Sequence, residues 1–174
     1  MFHLGDDRYV LEASRVVEIV PLLALKQIPQ APRGVAGLFN YRGRPVPAVD
    51  LSEITLGRPA APRLSTRIIV VQYEATRDHG TTGPQDHGTS SQWSRGQWSR
   101  GPSGHLLGLI AERATEIIRK EPRDFQEPGL KLSGAPYLGP VSLDPQGVIQ
   151  WVREQELLPP PVRDLLFGQA ATAT

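Results

Sequence analysis

Short β-branched runs separated by turn residues constrain this chain more than any other feature. Arg67-Ile68-Ile69-Val70-Val71-Gln72-Tyr73 reads as a central strand, and Leu106-Leu107-Gly108-Leu109-Ile110 as another. Ala114 to Ile118 follows in a mixed pattern. Gly147 to Val152 reads as a late strand after an Asp144-Pro145-Gln146-Gly147 turn. Many short strands joined by turns argue for an all-β barrel or sandwich and against a parallel α/β sheet.

The first third of the chain repeats the pattern. Tyr9-Val10-Leu11 follows a Gly5-Asp6-Asp7 turn, with Phe2 and Leu4 before it, which predicts a tight opening hairpin. Ser14 is placed to cap a short turn before the strand-prone Val16 to Val20. Pro21, Pro29 and Pro32 then force an extended, irregular connection. Val35 to Tyr41 reads as a strand in which Gly37 marks a bulge or close approach. Arg42-Gly43 is the turn, and Val46 to Leu51 the return strand. Pro45 and Pro47 lack N–H donors, so part of that strand should lie on an edge. Near the end, Pro161 starts a short helical piece whose Val162, Leu165, Leu166 and Phe167 should share one face, with Gly168 closing it. The organisation is one domain over residues 1–168, with a low-complexity insert at about 76–104 and a flexible tail at 169–174.

That insert holds a perfect tandem pentapeptide, Gln92-Trp93-Ser94-Arg95-Gly96 and Gln97-Trp98-Ser99-Arg100-Gly101. Trp93 and Trp98, interleaved with arginines, could stack on bases or anchor a partner, but a short duplication that lengthened a loop is the better reading. The net charge of +1 and the lack of any long basic run give no case for nucleic acid. The chain has no cysteine, which excludes disulfides and thiolate chemistry. No signal peptide is read at the N-terminus, and no apolar stretch approaches the about 20 residues that span a bilayer. A cytoplasmic location without direct membrane insertion is the expectation.

The sequence offers no catalytic constellation. His79 and His87 lie in the insert, and His3 and His105 are isolated, so no metal site is expected. Asp6, Asp7, Asp50, Glu53, Asp124 and Asp144 stand in or beside turns, where turn formation and solvation explain them better than acid–base work. Gly34 to Gly37 leads to no Gly-Lys-Ser/Thr, and no Gly-x-Ser-x-Gly elbow is present. No cofactor is implied. At the Arg42 turn, strand alternation sends Phe39 and Tyr41 to one face and Asn40 and Arg42 to the other. Core packing with a hydrated arginine is the plain reading of that turn.

The stretch Gly37-Leu38-Phe39-Asn40-Tyr41-Arg42-Gly43-Arg44-Pro45-Val46-Pro47-Ala48-Val49-Asp50-Leu51 resembles the signature of CheW-like coupling domains: Asn-x-Arg-Gly, then a Pro-Val-x-Asp-Leu return strand. Phe2 to Leu11, Val16 to Val20, Arg67 to Val71, Gly108 to Glu112, Tyr137 to Gly139 and Gly147 to Ile149 resemble further segments of that family in the same order. The resemblance implies an all-β fold of two intertwined, small five-stranded SH3-like barrels sharing a hydrophobic interface, followed by short C-terminal helical pieces. It implies a non-enzymatic adaptor that couples a methyl-accepting chemoreceptor to a CheA-type histidine kinase in a chemosensory array at the inner membrane. The implied partners are the kinase regulatory domain and the receptor's cytoplasmic tip. Carried over by position, the receptor groove should be lined by Ala13, Val16, Ile19 and Ala114, while Asn40, Arg42 and Gly43 should serve assembly of the complex. The chain departs from the family pattern at Glu112, at Gln150-Trp151-Val152 and in its insert. A scaffold or regulatory-domain homologue that binds no receptor, or a coupler in a surface-sensing pathway that controls a diguanylate cyclase, remain alternatives at this level.

Overall fold

The computed structural model describes residues 1–74, 105–129 and 134–168. The insert and the tail, with His79, His87, Trp93 and Trp98, lie outside the described residues. The chain forms β1 (Phe2–Leu4), β2 (Asp7–Val10), β3 (Val16–Pro21), β4 (Val35–Tyr41), β5 (Arg44–Asp50), α1 (Leu51–Leu56), β6 (Arg67–Tyr73), β7 (His105–Ala111), β8 (Leu138–Asp144), β9 (Gly147–Val152) and α2 (Pro160–Phe167). Short 3-10 turns occupy Ala13–Arg15, Pro122–Asp124 and Glu154–Glu156.

Two sheets result. The first has the order β1-β2-β9-β8 and the second β3-β6-β7-β5-β4. The chain's beginning and end therefore build one sheet and its middle builds the other. An isolated bridge from Gln126 to Val141 adds a fifth segment beside β8. A second bridge, His3 to Glu112, ties β1 to the residue that follows β7. Mostly β, with two small sheets and few helices, the fold is the two-barrel architecture implied by the resemblance.

β6 and β7 sit between strands on both sides and are covered on both faces. Ile69, Val71 and Tyr73 of β6, with Leu107, Leu109 and Ala111 of β7, join Phe2, Leu4, Tyr9 and Val152 in the core shared by the two sheets. The alternate residues Ile68, Val70 and Ile110 face the other way, into a smaller core with Phe39, Tyr41, Val46 and Ala48. Burial on both faces is why these strands read as unbroken apolar runs.

The β4–β5 hairpin turns as its sequence predicts. Arg42 (φ 51°) and Gly43 (φ 82°) both have positive φ, the pattern of a two-residue type I′ loop, and the Asn40 side chain accepts from Gly43 N at 2.8 Å. Gly37 stands at a register shift, and a Cβ there would lie 2.5 Å from the Lys26 carbonyl. Both backbone groups of Leu38 bond Lys26, so its partner Pro47 turns its nitrogen away from β4. β7 pairs with β5 only from Ala48 onward, so the prolines interrupt no ladder there.

Four expectations need correction. Leu51 begins α1 instead of ending a strand, because Asp50 accepts from Glu53 N at 3.1 Å as N-cap and Gly57 ends the helix at φ 76°. Asp50 is 5% exposed and not solvated, since its second oxygen accepts from Ala60 N at 2.8 Å. Ser14 lies inside the 3-10 turn and donates to Glu12 instead of capping it. Leu165 is 58% exposed, whereas Val162, Leu166 and Phe167 pack on the core, with Phe167 stacked on Tyr73 and His105.

Gly108 in β7 leaves room for Phe39: an added Cβ would lie 2.6 Å from the Phe39 ring and 2.8 Å from Ile68 Cγ2. Gly108→Ala should therefore destabilise by about 1–3 kcal/mol, the usual cost of overpacking a core. Denaturant unfolding checks this, and an unchanged midpoint would contradict the packing described.

Candidate functional site: an apolar groove between the sheets

β3 pairs with β6 through a register shift. Val16 stands opposite Val71, Glu18 opposite Val70 and Ile19 opposite Ile69, so three β3 residues face two of β6. Strand alternation alone would send Val16 and Ile19 to opposite faces. The extra residue brings them to one face, beside Ile69 and Val71 of the shared core.

That face opens into a groove of about 620 Å³ between the two sheets. Ala13, Val16, Ile19 and Ala114, the residues the resemblance assigns to the receptor groove, all line it. Ala114 is buried, Val16 is half-buried, and Ile19 is 44% exposed, so the groove runs from core to solvent. Val10 and Ile69 extend its apolar floor. Glu12, Glu116 and Lys120 are its charged members, and the Lys120 ammonium points to Ser142 Oγ at 3.2 Å.

Ile117, Phe125 and Trp151 are among the large groove residues not assigned from sequence. Ile117, 90% exposed, forms a lip. Phe125 and Trp151 form an aromatic end wall, edge to face at 5.1 Å. Trp151 is visible in the sequence only as a departure from the family pattern. Its side of β9 is set by parallel pairing with β2, where it stands opposite Val10.

Asn40, Arg42 and Gly43 come together elsewhere, at the tip of the β4–β5 hairpin. None of them lines the groove. Tyr41 Oη donates to Glu18 Oε2 at 2.6 Å, and Arg42 donates to the same oxygen at 2.8 Å. The Arg42 guanidinium also lies over the Tyr41 ring, 5.3 Å from its centroid. Glu18 is on β3 and Tyr41 on β4, the two edges of the five-stranded sheet. This cluster thus closes the second barrel at its seam. Arg42 braces a carboxylate within one barrel, although its side chain is 74% exposed.

Other ion pairs fix the first sheet. Arg8 of β2 holds Asp144 at the end of β8 through two hydrogen bonds, 2.5 and 3.0 Å, which keeps the Asp144 carboxyl below its usual range. Glu112, a departure from the family pattern, accepts from Ala61 N at 3.0 Å and is buried. Among the described residues, no group of His, Asp or Glu is arranged to hold a metal ion, and no helix is long and apolar enough to cross a membrane.

A two-sheet β module with an apolar groove between its sheets is the class that this geometry defines. The CheW-like domain family model matches residues 1–159, and the chain belongs to that family. It is 32% identical over 73 residues to chemotaxis protein CheW of Helicobacter pylori, covering 41% of this chain and 44% of that protein. It is 26% identical over 133 residues to chemotaxis protein CheW of Treponema pallidum, covering 76% of this chain and 64% of that protein. The matched region is thus less than two thirds of the length of either relative. The crystal structure of scaffolding protein TtCheW from Thermoanaerobacter tengcongensis shares the fold, with a TM-score of 0.68 at 19% identity over 92% of this chain and 86% of that one.

The Glu18 carboxyl is held below its ordinary pKa, first by the Tyr41 hydroxyl and then by Arg42. A depressed carboxylate contributes stability above its unfolded pKa and loses it as pH falls through the folded value. Tyr41→Phe and Arg42→Ala should each move the Glu18 midpoint up toward the ordinary carboxylate range. Carboxyl-carbon NMR titration reads both, and an unmoved midpoint in Tyr41→Phe would contradict the Tyr41–Glu18 contact.

Proposed function

We propose that this chain is a non-catalytic scaffold that couples a methyl-accepting chemoreceptor to a CheA-type histidine kinase. The helical tip of the receptor lies in the groove between the sheets. The observation that carries this reading is the convergence of Ala13, Val16, Ile19 and Ala114 on one apolar groove, from a 3-10 turn, a strand with a register shift and the segment after β7. An apolar groove with an exposed Ile117 lip and an aromatic end wall suits an amphipathic helix presenting anchors at i, i+3, i+4 and i+7.

The β4–β5 hairpin supplies the contact with the kinase regulatory domain. Its tip projects Arg42 from a rigid type I′ loop, and a non-glycine residue there is held at a positive φ that arginine seldom adopts. Strain of that kind gathers where a side chain must point in a fixed direction. The function is exercised in the cytoplasm, in arrays beneath the inner membrane. Whether the kinase drives motility or cyclic-nucleotide output is set by its other partners.

Binding of a purified receptor signalling fragment and the kinase tests the reading. Ile19→Glu should weaken receptor binding by tenfold or more, on the order of 1.4 kcal/mol, as expected for an interface anchor. Its melting temperature should change little, because Ile19 is nearly half exposed. Val16→Arg should lose both binding and stability, since Val16 also packs on the shared core. In reconstituted assemblies, Arg42→Ala should abolish receptor-dependent control of kinase autophosphorylation, and Arg42→Lys should restore little of it. A protein that binds neither partner, or full receptor affinity in Ile19→Glu, would overturn the proposal.

A further inference from the structure

Behind the groove lies a charged group that the proposed function does not use. Glu154, in the 3-10 turn after β9, is 2% exposed, yet its Oε1 has no hydrogen-bond partner. The Arg15 guanidinium approaches that oxygen, with its Nε 3.7 Å away. Arg15 also donates to Glu74 Oε2 at 3.0 Å, at the end of β6. One guanidinium therefore links three places: the turn at Ala13–Arg15, the end of β6 and the turn after β9.

A buried carboxylate with an unsatisfied oxygen is costly to fold, and a neutral side chain of the same shape would cost less. Its location shows what it could do. Arg15 is the last residue of the turn that carries Ala13, and it immediately precedes Val16 at the β3 register shift. Both Ala13 and Val16 line the groove. The far side of the same turn after β9 is fixed by Tyr73 Oη, which donates to the Gln155 carbonyl at 3.4 Å.

We propose that Glu154 is a positioning residue for the groove: through Arg15 it holds the turn that presents Ala13 and Val16 to the docked helix. This rests on the reading of the groove as the receptor site. Glu154 itself touches no partner. It trades fold stability for a fixed groove wall, the kind of exchange that functional sites make.

The groups that face this cluster are Arg15 and Glu12 from the turn at 13–15 and its N-cap, Glu74 and Tyr73 from the end of β6, and Arg163 from α2. Burial, with Glu12 and Glu74 adding to it, raises the Glu154 carboxyl above its ordinary pKa, while its own backbone N–H and then Arg15 oppose the rise. An acid with a raised folded pKa costs stability as pH rises through that value and returns it on acidification. Acidification should therefore stabilise the fold through Glu154 while releasing Arg15 and weakening the groove.

The test compares the full-length parent with Glu154→Gln and Ile19→Glu, measuring melting temperature and receptor-fragment affinity across pH. Glu154→Gln should melt at the same or a higher temperature and bind roughly fivefold more weakly, a coupling of the size seen between neighbouring groups. The acid-side loss of affinity in the parent should vanish or move to lower pH in Glu154→Gln. A purely structural role would make the melting temperature fall together with affinity, and that result overturns the proposal. So does unchanged affinity in Glu154→Gln when Ile19→Glu binds weakly. Unchanged affinity in Ile19→Glu would instead remove the groove as the receptor site, and this proposal with it.

Discussion

Between Val16 and Glu18, β3 sets three residues against two of β6, and that surplus divides the strand's side chains between two tasks. Val16 and Ile19 go to the groove and the shared core, while Glu18 and Val20 go to the second barrel. A strand in perfect register would have to choose, because its side chains alternate with period two. The bulge lets one six-residue strand both line the groove and close a barrel. The Glu18 contact with Tyr41 and Arg42 depends on it, since Glu18 would otherwise turn away from the seam.

β6 and β7 of the five-stranded sheet send alternate side chains to the core shared with the first sheet and to the smaller second core. Buried carboxylates satisfy the loop that spans this junction. Asp50 accepts from the backbone of Glu53 and Ala60, and Glu112 from Ala61. These acids do what a buried charge must, which is to meet donors that would otherwise be unpaired. Glu154 differs from them because its Oε1 lacks such a donor. That contrast is what separates a carboxylate satisfying the fold from one whose cost calls for another explanation.

Local features were legible in the sequence, and long-range pairings were not. Val35–Tyr41, Arg42-Gly43 and the return strand could be read because turn chemistry and alternation act within a few residues. β6 and β9 were readable as runs of β-branched and apolar residues. α1 was missed, although Asp50, Glu53 and Gly57 are cap signals, because Val46 to Leu51 reads as continuous strand. Leu165 was misplaced since i, i+3 spacing does not tell which edge of a short helix meets the core. The groove residues assigned by resemblance came together, but Ile117, Phe125 and Trp151 joined them only through pairings such as Val10 with Trp151, which span most of the chain. Glu18 as the partner of Arg42 was likewise hidden, since their strands lie at opposite edges of one sheet.

Val17 and Ile19 are equally exposed at 44%, yet only Ile19 lines the groove, and the bulge is the reason. Intermolecular methyl NOEs between the protein and a receptor signalling fragment therefore test the central claim directly. The account predicts NOEs from the fragment to the methyl groups of Val16, Ile19 and Ile117 and none to Val17. NOEs to Val17 without Ile19, or to the exposed Leu143 and Val148 pair on the β8–β9 hairpin, would contradict it.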